Sequence, residues 1–314
     1  MRRDAHEQNR RSWNLATRAH SSHKRDQAAF LRAGGSTLFP DELELLGVPP
    51  AAWPKAHGPG DMPSGPAEGS EPGVGPLAGL DLVHLQCNAG QDTLSLARLG
   101  ARALGVDISD VAIAEAEALA AGAGLPARFI RADVYDWLAA AAADPAERHD
   151  IVFSTYGALP WLSDLPTWAA GVSAVLRPGG RLVVLEFHPF AFTFDEQLRP
   201  AYPYFSTGDS VVTAAGIGDY VGASGPTLTP SGWLAGATEF RNPEPCHEFP
   251  WTVADALGAV LRAGLALEQV REYPYTNGCK IFDAMRPLPG RRFALPEGAP
   301  GMPLMFGFVA RKPA

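Results

Sequence analysis

Cysteine is scarce in this chain of 314 residues, with only Cys87, Cys246 and Cys279, far apart from one another. So few and so scattered, they exclude a disulfide framework and a cysteine-ligated metal site, and no metal is expected. Long apolar runs are missing as well. Nowhere do 18 consecutive apolar residues occur, and the polar stretch Met1 to Lys24 has no apolar core of signal-peptide length. A cytoplasmic protein without a membrane partner is expected. Positive charge is the third deficiency: the formal net charge is -8, and no run of Lys or Arg exceeds a pair such as Arg2-Arg3 or Arg10-Arg11. The electrostatic footprint of a nucleic-acid binder is therefore lacking. What remains is a small-molecule protein, monomer or homodimer, whose 46% of apolar residues suffices for a full core.

The most informative stretch runs from Leu82 to Leu99. Its first half, Leu82-Val-His-Leu85, has strand length, and its second half places Leu94, Leu96, Ala97 and Leu99 as an amphipathic helix would. Between them lies the turn Cys87-Asn-Ala-Gly-Gln-Asp92. A strand feeding a tight turn and a helix aims unpaired N–H groups at whatever sits above the sheet, which suits a nucleotide-type ligand. Gly90 allows close approach to the backbone, and Asn88 and Asp92 are residue types that contact a ligand or cap the helix. Gln86 and Thr93 flank the turn and join the candidate set.

Strands and helices then alternate. Ala101 to Val106 reads as a second strand ending in Asp107, with Ile108 and Ser109 leading into a helix that Gly122 and Gly124 stop. Ala127 to Arg131 is a third strand, ending in Ala132-Asp133-Val134, and Asp150 to Ser154 a fourth. A helix from Pro166 to Leu176 precedes a fifth strand, Arg181 to Phe187. This spacing predicts an α/β fold with a parallel sheet, and a ligand at the C-terminal edge of its strands. A carboxylate at Asp107, about 20 residues past the turn, suits both hydroxyls of a ribose. A helix near 252–263 and strands at 265–273 and 304–311 follow. That last pair, joined without a helix, should be antiparallel.

Residues 9–34 predict one or two helices, a lid or a surface helix. Residues 49–76 hold 8 prolines and 6 glycines in 28 positions, the composition of a flexible linker. Four regions result: an N-terminal helical lid plus linker over 1–78, a nucleotide-binding core over 79–188, a covering insertion rich in aromatics over 189–250, and the completion of the sheet over 251–314.

The strand, turn and helix at 82–99, Gly105-Val-Asp-Ile-Ser109, Ala132-Asp-Val134 and Leu176-Arg-Pro-Gly-Gly-Arg-Leu-Val183 together resemble the class I S-adenosylmethionine-dependent methyltransferases. Leu85-Gln-Cys87 and Tyr156-Gly-Ala-Leu-Pro-Trp161 are similar to a bacterial small-molecule subset. The sequence departs from the family's opening motif, since Gln86, Asn88 and Asp92 stand where an acidic residue and two glycines are usual. The resemblance implies a seven-stranded Rossmann-like sheet with an antiparallel last strand, and S-adenosylmethionine as cofactor with S-adenosylhomocysteine as product. It also implies that Asp133 accepts from the adenine amino group beside a backbone contact from Val134, that the cofactor ammonium meets the backbone at Ser154, and that Tyr156 and Trp161 wall the acceptor site.

The implied activity is methyl transfer to an oxygen, nitrogen or carbon of a small metabolite, in the setting of secondary metabolism. The aromatic insertion, with Tyr204 and Trp251, suggests a flat, apolar or aromatic acceptor. A protic acceptor needs a base. His188, directly after the fifth strand, is the first candidate, followed by His20, His247 and Glu186. Two other functions compete. One is binding of the cofactor without turnover, as a regulator. The other, a nicotinamide oxidoreductase, needs glycines spaced as 88, 90 and 93, where this chain has Asn88, Gly90 and Thr93.

Overall fold

The computed structural model describes residues 1–54, 73–205 and 208–314. Most of the proline-rich stretch read as a linker, 55–72, lies outside the described residues.

Seven strands form the main sheet: β1 (Asp81–Leu85), β2 (Arg102–Asp107), β3 (Ala127–Arg131), β4 (His149–Thr155), β5 (Leu176–Phe187), β6 (Ala266–Tyr273) and β7 (Met305–Arg311). Their order is β3-β2-β1-β4-β5-β7-β6, with β1 to β5 parallel and β7 antiparallel to both its neighbours. This is the Rossmann-like arrangement expected, antiparallel last strand included. The order reverses at β1 and β4, so the crevice at their C-terminal ends is where a ligand can enter an open sheet.

Because successive side chains in a strand point to opposite faces, the alternation along β1 splits its apolar residues between two cores. Val83 and Leu85 join Val152, Val184 and Phe308 under α6 (Val134–Ala143), α7 (Leu165–Val175) and α8 (Val253–Arg262). Trp168 of α7 is the largest fully buried side chain there. Leu82 instead joins Ile151, Phe153, Val183 and Leu185, against Leu96 of α4 (Gln91–Arg98) and Leu43, Leu45 and Leu46. The last three belong to α3 (Pro40–Leu45) and the residue after it. The N-terminal region is thus more than lid and linker, since residues 38–48 complete one face of the core.

Helix α1 (Arg3–Ser22), the candidate lid, runs along the C-terminal edge of the sheet. It is held there residue by residue: Arg3 pairs with Asp136, His6 with Asp133 and Arg10 with Asp110, while Asn14 accepts from Ser109 Oγ, the N-cap of α5 (Asp110–Ala123). These partners lie in the first turns of α5 and α6 or cap them, so α1 bridges the helices that follow β2 and β3. Helix α6 itself falls between the third and fourth strands, where the sequence pattern assigns no element.

The 189–250 insertion rests on α1. Asn9 Nδ2 donates to His247 O at 2.8 Å, and His247 N donates to Asn9 Oδ1 at 2.7 Å. This two-point clamp fixes a short strand, Cys246–Glu248, which pairs antiparallel with Val211–Thr213. Residues 275–294, much of which reads as loop, form a second sheet of Tyr275–Asn277, Arg292–Ala294 and Arg286–Leu288. No helix among the described residues is long and apolar enough to cross a membrane.

Candidate functional site

At the C-terminal edge of the main sheet, roofed by α1 and the insertion, lies a cavity of about 1060 Å³. Its floor is built from the turns that leave β1, β2, β3 and β4. Three non-glycine residues there hold the left-handed backbone that L-residues usually avoid: Gln86 at φ 56°, Asn88 at φ 48° and Tyr156 at φ 43°. Asparagine tolerates that region because its short side chain bonds locally, and Asn88 Oδ1 accepts from Ala89 N at 2.7 Å. Residues that look like departures from a glycine-rich motif therefore keep a glycine-like backbone.

Gln86 and Asp107 fasten the floor. Gln86 Nε2 donates to Ala158 O at 2.8 Å and ties the β1 turn to the loop after β4, while its Oε1 is buried and unpartnered. Asp107 accepts Asn88 N at one oxygen and Ser109 N at the other, both at 2.8 Å. Burial pushes its carboxyl up, and these backbone N–H groups oppose the shift. A carboxylate offers about four lone-pair sites, so two remain for the vicinal hydroxyls of a ribose.

Asp133, the N-cap of α6, accepts Tyr135 N at 2.9 Å and meets His6 Nδ1 at 2.7 Å. The His6 ring stacks on Tyr135, centroids 5.3 Å apart and planes within 4°, and its Nε2 has no partner. His6 escapes a sequence reading because it acts from 127 residues away. Glu186 also reaches the cavity wall and accepts the N–H groups of Gly157, Ala158, Leu159 and Phe187. It shapes the turn after β4, and its lone pairs are committed. Burial raises its pKa against those four bonds.

Of the residues singled out by sequence, Gln86, Asn88, Asp92, Asp107, Ile108, Asp133 and Val134 line the cavity, as do Tyr156, Trp161, Tyr204 and Trp251. Three others do not. Gly90 has a φ of +76°, and an added Cβ would meet Phe129 at 2.7 Å and Ala116 at 2.8 Å, so packing alone already demands glycine there. Thr93 is buried in the core with its hydroxyl 2.9 Å from His84 Nδ1. Ser154 is likewise buried and off the wall, and its neighbour Thr155 takes the place.

None of the three histidines proposed as bases faces the cavity. His188 Nδ1 accepts Phe190 N at 3.1 Å, which leaves Nε2 to donate to Glu272 at 3.0 Å. Burial lowers its pKa and Glu272, not Glu186, opposes that. His20 sits under Tyr220, bonds Gly218 O at 2.9 Å, and is pushed down to about 4 by burial. His247 points to Ser210 Oγ at 3.0 Å. The reason is strand alternation: in Cys246–Glu248 the outer two residues line the cavity and the middle one turns away.

Glu248, one position on from His247, is the candidate that sequence reasoning passes over, since it lines the cavity. Its carboxylate accepts no hydrogen bond among the described residues, and burial alone pushes its pKa up. Phe249 N donates to Pro160 O at 2.7 Å, which seats this strand against the loop after β4. Around it stand Trp13, Trp161, Ile217, Phe249 and Trp251. Trp13 and Trp161 meet edge to face at 5.4 Å, a geometry that also suits a flat guest. The cavity is therefore lined by polar side chains from the turns after β1, β2 and β3 and by aromatic side chains from α1, the loop after β4 and the insertion, with the Glu248 carboxylate unpaired among the described residues. No group of three metal-ligating side chains occurs among the described residues.

Residues 83–180 match the sequence model of a family described as methyltransferase domain. A curated relative, a ubiquinone biosynthesis O-methyltransferase of Methylobacterium sp. (strain 4-46), is 36% identical over 127 residues, 40% of this chain and 46% of the relative. One of the same name from Sinorhizobium medicae (strain WSM419) is 32% identical over 35% of this chain and 42% of its own length. The chain spans less than half the length of these relatives. A crystal structure from Listeria monocytogenes, assigned to the S-adenosylmethionine-dependent methyltransferases, superposes with a TM-score of 0.50 over 75% of this chain and 90% of that one, at 16% identity. The likeness of that structure is one of fold. Residues 83–180 are thus similar to a methyltransferase domain, set in a chain that shares its fold with that structure.

Proposed function

We propose that this chain, whose residues 83–180 match a methyltransferase domain, is a class I S-adenosylmethionine-dependent methyltransferase that methylates a hydroxyl of a small, flat, largely apolar or aromatic metabolite. The observation that carries the reading is that Asp107 and Asp133, the residues suited to a ribose and an adenine, line one cavity together with Trp13, Trp161, Trp251 and Glu248. Orphaned Gln86 Oε1 and the unspent lone pairs of Asp107 and Asp133 fit the nucleoside. When bound, the cofactor supplies an electrophilic methyl on a sulfonium. The chain's own task is then to exclude water, hold the acceptor flat, and take its proton.

Trp13, Trp161 and Trp251 do the first two, and the Glu248 carboxylate is placed for the third. Its raised pKa makes it a stronger base than a solvated carboxylate. Support for oxygen as the acceptor atom comes from the name of the curated relatives, O-methyltransferases at modest identity. The test is incubation of the protein with a metabolite extract and S-adenosylmethionine carrying an isotopic methyl. A labelled aromatic or apolar product, with the label on oxygen, is expected. Binding of the cofactor without any labelled product would make the protein a cofactor-dependent regulator, and the proposal would fail.

A further inference from the structure

The residues between β6 and β7 carry a chain of hydrogen bonds to the cavity wall, and its direction is fixed at every link. It starts at Asp41 of α3, a buried carboxylate that accepts Tyr275 Oη at 3.0 Å, Arg292 Nη2 at 2.6 Å and Asn277 Nδ2 at 2.9 Å. Asn277 Oδ1 accepts Arg292 Nε at 3.1 Å, which sets the orientation of the amide. Both N–H groups of that amide are then committed, one to Asp41 and the other to Tyr156 Oη at 2.8 Å. A hydroxyl that accepts in this way keeps its own proton for another partner, and Tyr156 has none for it among the described residues. Burial, with Glu42 next, holds its pKa well above the ordinary phenol value, so the proton stays. Tyr156 lines the cavity. The chain therefore ends at the wall in one unspent O–H donor.

A second group with donors to spare stands beside it. Phe39, also on the wall, meets the Tyr156 ring edge to face at 6.3 Å, and the Arg291 guanidinium lies 4.1 Å from the centre of the same Phe39 ring. Arg291 occupies the turn between Arg286–Leu288 and Arg292–Ala294 and donates to Thr37 O at 2.8 Å and Thr227 O at 3.4 Å. Those contacts use two of five N–H donors, both on neutral carbonyls, and no carboxylate bonds it among the described residues. Burial lowers its pKa against Glu42, Asp92 and Tyr156. A cation so placed, facing a cavity with donors unspent, is costly until an anion completes it. Two donors side by side, one of them charged, complement the two oxygens of a carboxylate.

We propose that Tyr156 and Arg291 anchor a carboxylate of the methyl acceptor, which makes the acceptor an aromatic hydroxy acid. This rests on the reading of the chain as a methyltransferase of a flat hydroxylated metabolite, and it names the end of that metabolite remote from the methylated oxygen. The loop Tyr156-Gly-Ala-Leu-Pro-Trp161 lets one guest reach both contacts. Glu186 fixes its course through the N–H groups of Gly157, Ala158 and Leu159, while Pro160 O accepts Phe249 N and so brings the strand of Glu248 to its far end. An acceptor lying along this loop has its carboxylate at Tyr156 and its hydroxyl toward Trp161 and Glu248. Selectivity is thereby set from outside the matched region 83–180, by Asp41, Asn277 and Arg291.

The labelling experiment with metabolite extract tests the anchor separately from the activity. The labelled product should be retained on an anion exchanger and lose carbon dioxide on fragmentation. With that acceptor purified and S-adenosylmethionine saturating, Arg291→Gln and Tyr156→Phe should each raise the acceptor KM by about 10-fold or more, the scale of a charge-assisted hydrogen bond. Arg291→Lys should fall between wild type and the Gln variant. Affinity for S-adenosylhomocysteine should stay within about twofold in all three, which also shows them folded. A neutral labelled product would overturn the anchor and leave the methyltransferase reading standing. An unchanged acceptor KM in both Arg291→Gln and Tyr156→Phe would overturn it too, as would an Arg291→Gln loss confined to S-adenosylhomocysteine, which would give the guanidinium to the cofactor. Absence of any labelled product from the wild-type chain would overturn the methyltransferase reading, and the anchor with it.

Discussion

The two ends of the cavity are built on opposite plans. At the cofactor end, Asp107, Asp133 and Glu186 are held by backbone N–H groups of the turns they adjoin. Each is therefore shaped before any ligand arrives, and its charge is partly met. At the proposed acceptor end, Glu248 lines the cavity with no such support. The comparison teaches where chemistry can be tuned. A carboxylate satisfied by four N–H groups is an anchor, whereas one that burial has left short of partners is ready to take a proton.

The contrast can be broken most severely at Glu248. Glu248→Gln keeps the shape and removes the base, so turnover should fall by about 10²–10⁴-fold, the scale of general-base loss, with S-adenosylhomocysteine affinity unchanged. Wild-type turnover should rise with pH through a value above the ordinary carboxylate range of about 4.3, because burial raises the Glu248 pKa and only the ionised form accepts a proton. A rate that is flat across that range, together with an active Gln variant, would return the chamber to a merely apolar role.

At the other end the expected loss is in affinity. Asp107→Ala removes the acceptor for Asn88 N and Ser109 N as well as the ribose partner. Cofactor binding should weaken by about 10-fold to 100-fold, from roughly 1.5–3 kcal/mol per charge-assisted bond. Calorimetry showing an unchanged dissociation constant would place the ribose elsewhere.

Acid should act on the frame that holds both ends. His20, His84 and His149 are each depressed to about 4 by burial, while in the unfolded chain they titrate near ~6.5. Their contribution to stability is complete above ~6.5. As pH falls toward 4 the unfolded chain binds protons the folded one refuses, so stability drops by roughly 1.4 kcal/mol per pH unit for each histidine. Denaturant melts between pH 7 and 4 should show this slope, and His20→Gln should remove one share of it. The smallest effect is expected at His188. With both its nitrogens engaged away from the cavity, His188→Gln should turn over within about twofold of wild type, far from the general-base scale. A hundredfold loss there would contradict the account of the acceptor end.

How far the sequence could be read follows the same division. The cofactor end is local: β1, its turn and α4 are contiguous, and Asp107 and Asp133 fall at strand ends that alternation alone locates. The acceptor end is assembled from distant segments, with Asn9 clamping His247 across 238 residues. Chemistry without register singles out His247 and passes over Glu248, because a strand of three residues gives too little alternation to read. The packing of Gly90 against Phe129 is hidden for a related reason, since a glycine at a ligand turn and a glycine under an aromatic ring look alike in a sequence. The small C-terminal sheet was hidden by its glycine and proline content, which reads as loop.

The central claim is that one cavity joins a cofactor end made by the sheet to an acceptor end made by its cover. Its most direct test is a crystal structure of the full chain with S-adenosylhomocysteine. The account predicts ribose hydroxyls on Asp107, the adenine edge at Asp133 and Val134, and the sulfur opening toward Glu248 and Trp161. A sulfur atom turned away from that chamber, or a ligand seated outside the β1–β4 crevice, would contradict it.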